Sequence, residues 1–429
     1  PKKQVCVIGL DGVPHSLVQT FVKDGTMPVM RDLVAEGHLH RMKVTLPEIS
    51  AVSWTSFMTG VGPGEHGIYG FMDLKSTGKD LRFPSFRDVK IPTFWDGLGE
   101  KGKKCIVVNQ PSTYPARPIP GVLVSGFVAL DLRKAVFPAK WFVELKRMNY
   151  ELDIDTQRAR VDTNYLIQSL DSTLEGRRAV LDRLWDKEEW DYFQIVITGT
   201  DRLQHYLWDA IEDVDHPHHK AVREYYKKVD SFIGEVIDRF QKKTSKEQAL
   251  SNVFLLSDHG FTGIKKEFNL NAWLRESGYQ SVSGTDMQSL EALSKDTKAF
   301  ALDPNRIYFN RKDRFQDGIV EPSEIPDLCE RIEQELGSVR CDGEPVVQRV
   351  FRRSEVYTGE QESHGPDLIA LTHCGYDAKG TLAKDQVFTE TDLRGMHTWD
   401  DAFFWSVEEL GPDLNIVDLA SVIEDRLLR

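Results

Sequence analysis

The chain has 429 residues, 40% of them hydrophobic and 28% charged, an ordinary globular composition with enough apolar side chains for a large core. Its formal charge of −13 argues against a nucleic-acid backbone or an anionic membrane as the main partner. A small phosphate ester is not excluded, because bound cations would reverse the local field.

Residues 4–10 form a near-continuous apolar run bounded by Gly9, Asp11 and Gly12, the pattern of a buried parallel strand. The run VCVIGL is too short for a secretory signal or a membrane span. Five scattered cysteines (Cys6, Cys105, Cys329, Cys341, Cys374), without a CxxC pair, read as thiols in a reducing compartment. A cytoplasmic protein is therefore expected. A helical stretch follows the strand, and Pro28 opens a second short helix that Gly37 closes.

Residues 46–71, LPEISAVSWTSFMTGVGPGEHGIYGF, begin extended ahead of Pro47 and turn helical from Ser50. Gly60, Gly62, Pro63 and Gly64 end that turn. A hydroxyl at the first position of a helix faces unpaired backbone N–H groups, where negative charge is favoured. Ser50 is thus either an N-cap or a nucleophile, and this stretch alone leaves both readings open. His66 reads as a brace for the turn.

Pro92 and Gly102 bracket a further helix that leads to the strand CIVVN. Residues 111–160, rich in proline and aromatics with weak periodicity, read as loops and covering segments. Residues 164–185 and 219–242 are helical in pattern and lead to the strands DYFQIVITGT and NVFLLSDHG. This alternation predicts an α/β fold: a doubly wound, mostly parallel sheet with helices on both faces and ligands at the carboxyl ends of its strands. Residues 1–262 and 391–429 are expected to form the core domain. Residues 263–390 read as an inserted cap region that partly returns to the core sheet through PDLIAL. Residues 417–428 read as a closing amphipathic helix.

Three apolar runs end at aspartates: Asp11, Asp201 and Asp258. Asp201 and His205 are four apart, so a helix starting after the strand places both on one face. Asp258 and His259 stand side by side at a strand end, and GMHTWDD supplies His397. These six carboxylate and imidazole groups are the types that hold divalent transition metals, and they would fill two sites. Each has a plainer alternative, since a strand-end aspartate often closes a turn and a lone histidine is often a satisfied core group. The histidine-dense DVDHPHHK reads as a capped helix start.

The ordered set IGLDG, the Ser50 stretch with MTGVGPGEHGIYGF, TDRLQH, SDHGF and GMH resembles the alkaline phosphatase superfamily, and within it the type I phosphodiesterases and nucleotide pyrophosphatases. The likeness touches residues 4–71, 92–126, 190–278 and 390–429. It implies an alkaline phosphatase-like core with Ser50 as nucleophile. It further implies Asp11, Asp258 and His259 as ligands of the metal that also holds Ser50, and Asp201, His205 and His397 as ligands of a second metal. The expected cofactors are two divalent ions, zinc first, with manganese or iron also suited to such ligands. The expected reaction is cleavage of a small phosphate ester, a diester before a monoester, through a phosphoseryl intermediate, with no nucleic-acid or membrane partner. Phosphonate hydrolysis, phosphomonoesterase or phosphotransferase activity, or a non-catalytic binding role are the alternatives on the same core.

Two departures bear on specificity. Nucleotide pyrophosphatases usually carry threonine at the nucleophile position and an asparagine shortly after the HGI segment; here they are Ser50 and Phe71. Serine keeps the chemistry, whereas loss of the amide argues against nucleotide pyrophosphate specificity. The Cys/Ser-x-Pro-x-Arg signature of sulfatases is absent around Ser50.

Overall fold

Val5–Leu10 (β1) is buried along its whole length, as a strand covered on both faces must be. Its side chains alternate: Cys6, Ile8 and Leu10 enter one apolar cluster, Val5 and Val7 another. The computed structural model describes residues 3–75, 78–242 and 244–429. The chain divides into two units: Pro1–Val61, Ser85–Thr262 and Leu393–Arg429 form the first, and Gly62–Pro84 with Gly263–Asp392 the second. Residues 62–84, kept with the core in the sequence analysis, thus belong to the second unit.

The first unit holds β1 together with His38–Met42 (β2), Cys105–Gln110 (β3), Gly121–Ser125 (β4), Val136–Phe137 (β5), Tyr192–Ile197 (β6), Val253–Leu256 (β7) and Ala402–Ser406 (β8). They form one sheet in the order β2-β8-β7-β1-β6-β3-β4-β5. The central β7, β1, β6, β3 and β4 are parallel. β8 and β5 join antiparallel, and β2 pairs antiparallel with β8. The helices Thr163–Lys187 and His219–Gln241 bury Leu170, Leu181, Phe232 and Val236 in the cluster on one face. Ser50–Thr59 (α1), Phe94–Glu100 and Leu419–Leu428 bury Trp54, Trp95 and Ile423 on the other. The doubly wound α/β architecture, with helices on both faces of the sheet, is therefore present.

β4 is a correction to the sequence reading, which left its residues among loops. It is only five residues long and lies between Pro120 and Gly126, so its turn-forming neighbours masked its apolar run.

The second unit has its own four-stranded antiparallel sheet, in the order Ala299–Leu302, Arg306–Phe309, Leu368–Thr372, Val347–Arg352. The helix Ile325–Gly337 packs Leu328, Ile332 and Leu336 into the same cluster as Ile307, Leu368 and Ala370. PDLIAL therefore enters this sheet, and among the described residues no strand from 263–390 returns to the eight-stranded one. A continuous apolar run tells that a strand is buried, not which sheet buries it. Among the described residues, no helix is long and apolar enough to cross a membrane.

Candidate active site

β7, β1 and β6 are adjacent, so their carboxyl ends deliver side chains to one line along the sheet edge. Asp11 follows β1, and Asp258 and His259 follow β7. Gly199–Glu212 (α2) starts two residues after β6 and carries Asp201 in its first turn, with His205 one turn later. His397 lies on the strand Gly395–Thr398, which pairs with Gly260–Gly263. The structure brings the six ligand candidates together as two clusters, Asp11 with Asp258 and His259, and Asp201 with His205 and His397.

Ser50 opens α1. Its Oγ lies 3.2 Å from Asp11 Oδ1 and 3.2 Å from His259 Nε2. The hydroxyl thus faces the first cluster, and Ile49 occupies the N-cap position. Of the other hydroxyls on α1, Thr55 donates to Ala51 O at 2.6 Å and Ser56 bonds with Thr45 at 2.7 Å, whereas the buried Ser53 Oγ makes no hydrogen bond among the described residues.

Each of the three carboxylates has one oxygen anchored and the other turned inward. Trp54 Nε1 donates to Asp11 Oδ2 at 3.0 Å, the Gly12 amide to Asp258 Oδ1 at 2.9 Å, and Arg202 Nη1 to Asp201 Oδ2 at 2.9 Å. The remaining Asp258 Oδ2 and Asp201 Oδ1 are buried and accept no hydrogen bond among the described residues. The histidines repeat this logic. Nδ1 of His259, His205 and His397 faces the carbonyls of Gly260, Gly395 and Glu48 at 2.9, 3.1 and 2.9 Å. A carbonyl only accepts, so each Nδ1 carries the proton and, in the neutral ring, each Nε2 presents a lone pair.

These lone pairs point at the inward oxygens. His259 Nε2 is 3.3 Å from Asp258 Oδ2 and 3.5 Å from Asp11 Oδ1. His397 and His205 Nε2 are 3.2 and 3.4 Å from Asp201 Oδ1, and 3.0 Å from each other. Acceptors facing acceptors in a buried pocket repel unless positive charge lies between them. The arrangement fits divalent cations, with imidazoles oriented by their second nitrogen as in known metal sites.

The electrostatics agree with that reading. Burial pushes Asp258 up to about 7 and Asp11 well above the usual carboxylate range, the latter helped by the charges of Asp258 and Asp201. Burial lowers His259 to about 4, so its ring is neutral at ordinary pH. Burial works to raise Asp201 too, but in the metal-free protein His205 and His397, when protonated on Nε2 as well, and Arg202 hold it well below its ordinary range.

Sequence reasoning missed the groups behind the ligands. Trp54 stands four residues after Ser50, so helical spacing alone puts it on the same face. A Cβ on Gly9 would lie 2.6 Å from the Trp54 ring, which shows why β1 has a glycine where the indole crosses to Asp11. Gly12, at φ +69°, turns its amide toward Asp258, and a Cβ there would press on His259 and Phe261 at 3.0 Å. Phe261 packs against all three imidazoles, with ring centroids 4.8 to 5.9 Å away. His66, by contrast, is buried in the second unit, where its Nδ1 accepts the Ile68 amide at 3.1 Å and burial lowers it to about 3. The DVDHPHHK segment leads into a helix starting at His219 whose N-cap, His218, makes no side-chain cap; Asp213, not Asp215, accepts a local amide.

Among solved structures, this architecture is that of alkaline phosphatase-like α/β proteins. Phosphonoacetate hydrolase from Sinorhizobium meliloti 1021, in complex with phosphonoformate, superimposes with a TM-score of 0.64 at 15% identity, over 100% of this chain and 96% of that one. The alkaline phosphatase PafA gives 0.59 at 14% identity, over 100% and 96%. Murine ectonucleotide pyrophosphatase/phosphodiesterase 5, as an inactive variant in complex with AMP, gives 0.58 at 12% identity, over 99% and 95%. No curated protein matches the chain in sequence. The chain belongs to the type I phosphodiesterase/nucleotide pyrophosphatase family, whose model matches residues 5–400, and with it to the phosphoryl-transfer hydrolases.

Proposed function

We propose that the protein hydrolyses a phosphodiester by double displacement at Ser50, with two divalent metal ions, zinc foremost, held by Asp11, Asp258 and His259 and by Asp201, His205 and His397. The observation that carries the reading is the Ser50 hydroxyl, 3.2 Å from ligand atoms of the first cluster and at the start of a buried helix. Ions bound there would lower the pKa of that hydroxyl and offset charge on the departing oxygen.

In the first step the Ser50 hydroxyl gives up its proton and Oγ attacks phosphorus; the Oγ–phosphorus bond forms, and the bond to the leaving alkoxide or phenoxide breaks. The departing oxygen takes up a proton, and the phosphoseryl ester keeps the other ester group. In the second step water attacks phosphorus from the vacated side and loses a proton, the Ser50–phosphorus bond breaks, Ser50 Oγ takes up a proton, and a monoester leaves. The first turn of α1 offers backbone N–H groups to the charge on the phosphoryl oxygens. Asp11 and His259 fix the hydroxyl from two sides, which limits it to one direction of attack.

Ser50→Ala should abolish turnover of an aryl phosphodiester while metal content and melting temperature stay near wild type. Near-normal turnover would assign the attack to another group. Phe71, standing in place of an expected amide, is 37% exposed. Simple aryl diesters should accordingly be cleaved as readily as nucleotide ones, and a strong preference for a nucleotide pyrophosphate would overturn that part of the reading. A panel that adds monoesters and phosphonates places the protein among the chemistries this core supports.

A further inference from the structure

Arg202 follows Asp201 on α2, and its side chain is only 13% exposed. Nη1 donates to Asp201 Oδ2 at 2.9 Å. Nη2 and Nε donate to Asp153 Oδ2 and Oδ1 at 2.6 and 3.3 Å, a two-pronged pairing across 49 positions of sequence. The guanidinium also lies 4.4 Å from the centre of the Phe127 ring. Asp153 is steadied in turn by the Ile154 amide at 2.9 Å.

A positive charge this close to a cluster that takes a cation is unfavourable for that cation's binding. The arginine must therefore contribute something other than charge. A carboxylate on a single bond can rotate, and only one rotation sends Asp201 Oδ1 toward the Nε2 atoms of His205 and His397. Arg202 pins the opposite oxygen and is itself held at three points, by Asp153, by Phe127 and by its own place on α2.

We infer that Arg202, clamped by Asp153 and Phe127, is a positioning residue that sets the rotation of the Asp201 carboxylate and so the geometry and affinity of the Asp201–His205–His397 cluster for its metal ion. The inference rests on the proposed two-metal reading. Arginine suits this role better than lysine, because its planar fork can bridge two carboxylates at fixed angles.

The test is titration of the full-length, metal-stripped protein with cobalt(II), whose visible absorption reports coordination geometry. Wild type should bind two ions. Arg202→Gln should lose about 10- to 100-fold in affinity for one of them, with a changed spectrum, and keep the other unchanged. Arg202→Lys, which restores charge but not the fork, should fall between the two. Asp153→Asn, at a residue 21% exposed, leaves Arg202 in place and should weaken the same ion in the same direction. Turnover in these variants should fall through kcat with KM little changed. Wild-type affinity and spectrum for both ions in Arg202→Gln and Asp153→Asn would overturn the inference. So would equal weakening of both ions together with a lower melting temperature of the metal-free protein, the mark of a structural ion pair. A wild-type protein that binds no cobalt would instead overturn the two-metal reading itself.

Discussion

The two clusters at the sheet edge use the same residue types in different settings. Asp11, Asp258 and His259 have no solvent exposure, whereas His205 and His397 are 25% and 15% exposed around an Asp201 that is 2% exposed. The first cluster comes straight off β1 and β7, so its positions are tied to the rigid centre of the sheet. The second is assembled from α2 and the strand Gly395–Thr398, which places its imidazoles toward the open side. On the proposed reading, the closed half would hold the attacking hydroxyl, and the more exposed half would face the departing group and the incoming water.

The widest gap between the halves should appear on removing a ligand from each. Asp258→Asn should cut turnover by about a thousandfold, the equivalent of several kcal/mol of transition-state stabilisation, and added zinc should not restore it. His205→Ala should cost about 10- to 100-fold at limiting metal, at the scale known for disturbed metal sites, and raised metal concentration should recover much of it. Turnover against metal concentration for both variants checks the pair, and identical rescue curves would erase the distinction.

A smaller effect should come from Trp54→Phe, which keeps the ring and removes the donor to Asp11 Oδ2. A hydrogen bond to a charged group is worth about 1.5–3 kcal/mol. Affinity for the ion beside Ser50 should therefore fall about tenfold while the other ion is unaffected, as read by competition with a chelator.

The smallest effect is a dependence on pH. Asp258 in the metal-free protein is held at about 7 by burial, so below that value it keeps a proton that a metal ion must displace. His259, at about 4, is already neutral over the same interval and releases none. Metal uptake beside Ser50 should then release protons, from Asp258 and from Asp11, which burial also raises, and weaken by about tenfold per displaced proton for each pH unit below 7. At the second cluster the carboxylate is ionised already, being held well below its ordinary range. Calorimetry in buffers of different ionisation enthalpy measures the released protons directly.

Five of the six candidate ligands were legible because each follows an apolar strand or sits one helical turn from one that does; His397, inside the short strand Gly395–Thr398, was legible only through the GMH segment of the resemblance. Asp11, Asp201 and Asp258 mark the carboxyl ends of β1, β6 and β7, and a doubly wound sheet must bring adjacent ends together. What lies behind them was not legible. The Arg202–Asp153 pairing joins a helix to a loop 49 residues away, and no local pattern encodes that meeting. Trp54 could have been found from its spacing to Ser50, but a tryptophan in an apolar helix reads first as core, and here it is both core and donor. The strand β4 was hidden by the proline and glycine around it, and PDLIAL was assigned to the wrong sheet because burial alone does not choose a partner.

On the proposed double displacement, phosphorus passes through a covalent ester on Ser50. The stereochemical course tests it most directly: a single-isomer chiral phosphorothioate diester is hydrolysed in heavy-oxygen water, and the configuration of the product is determined. Two successive in-line displacements, first by Ser50 and then by water, predict overall retention at phosphorus. Inversion would mean a single displacement by water, and would contradict the role assigned to Ser50.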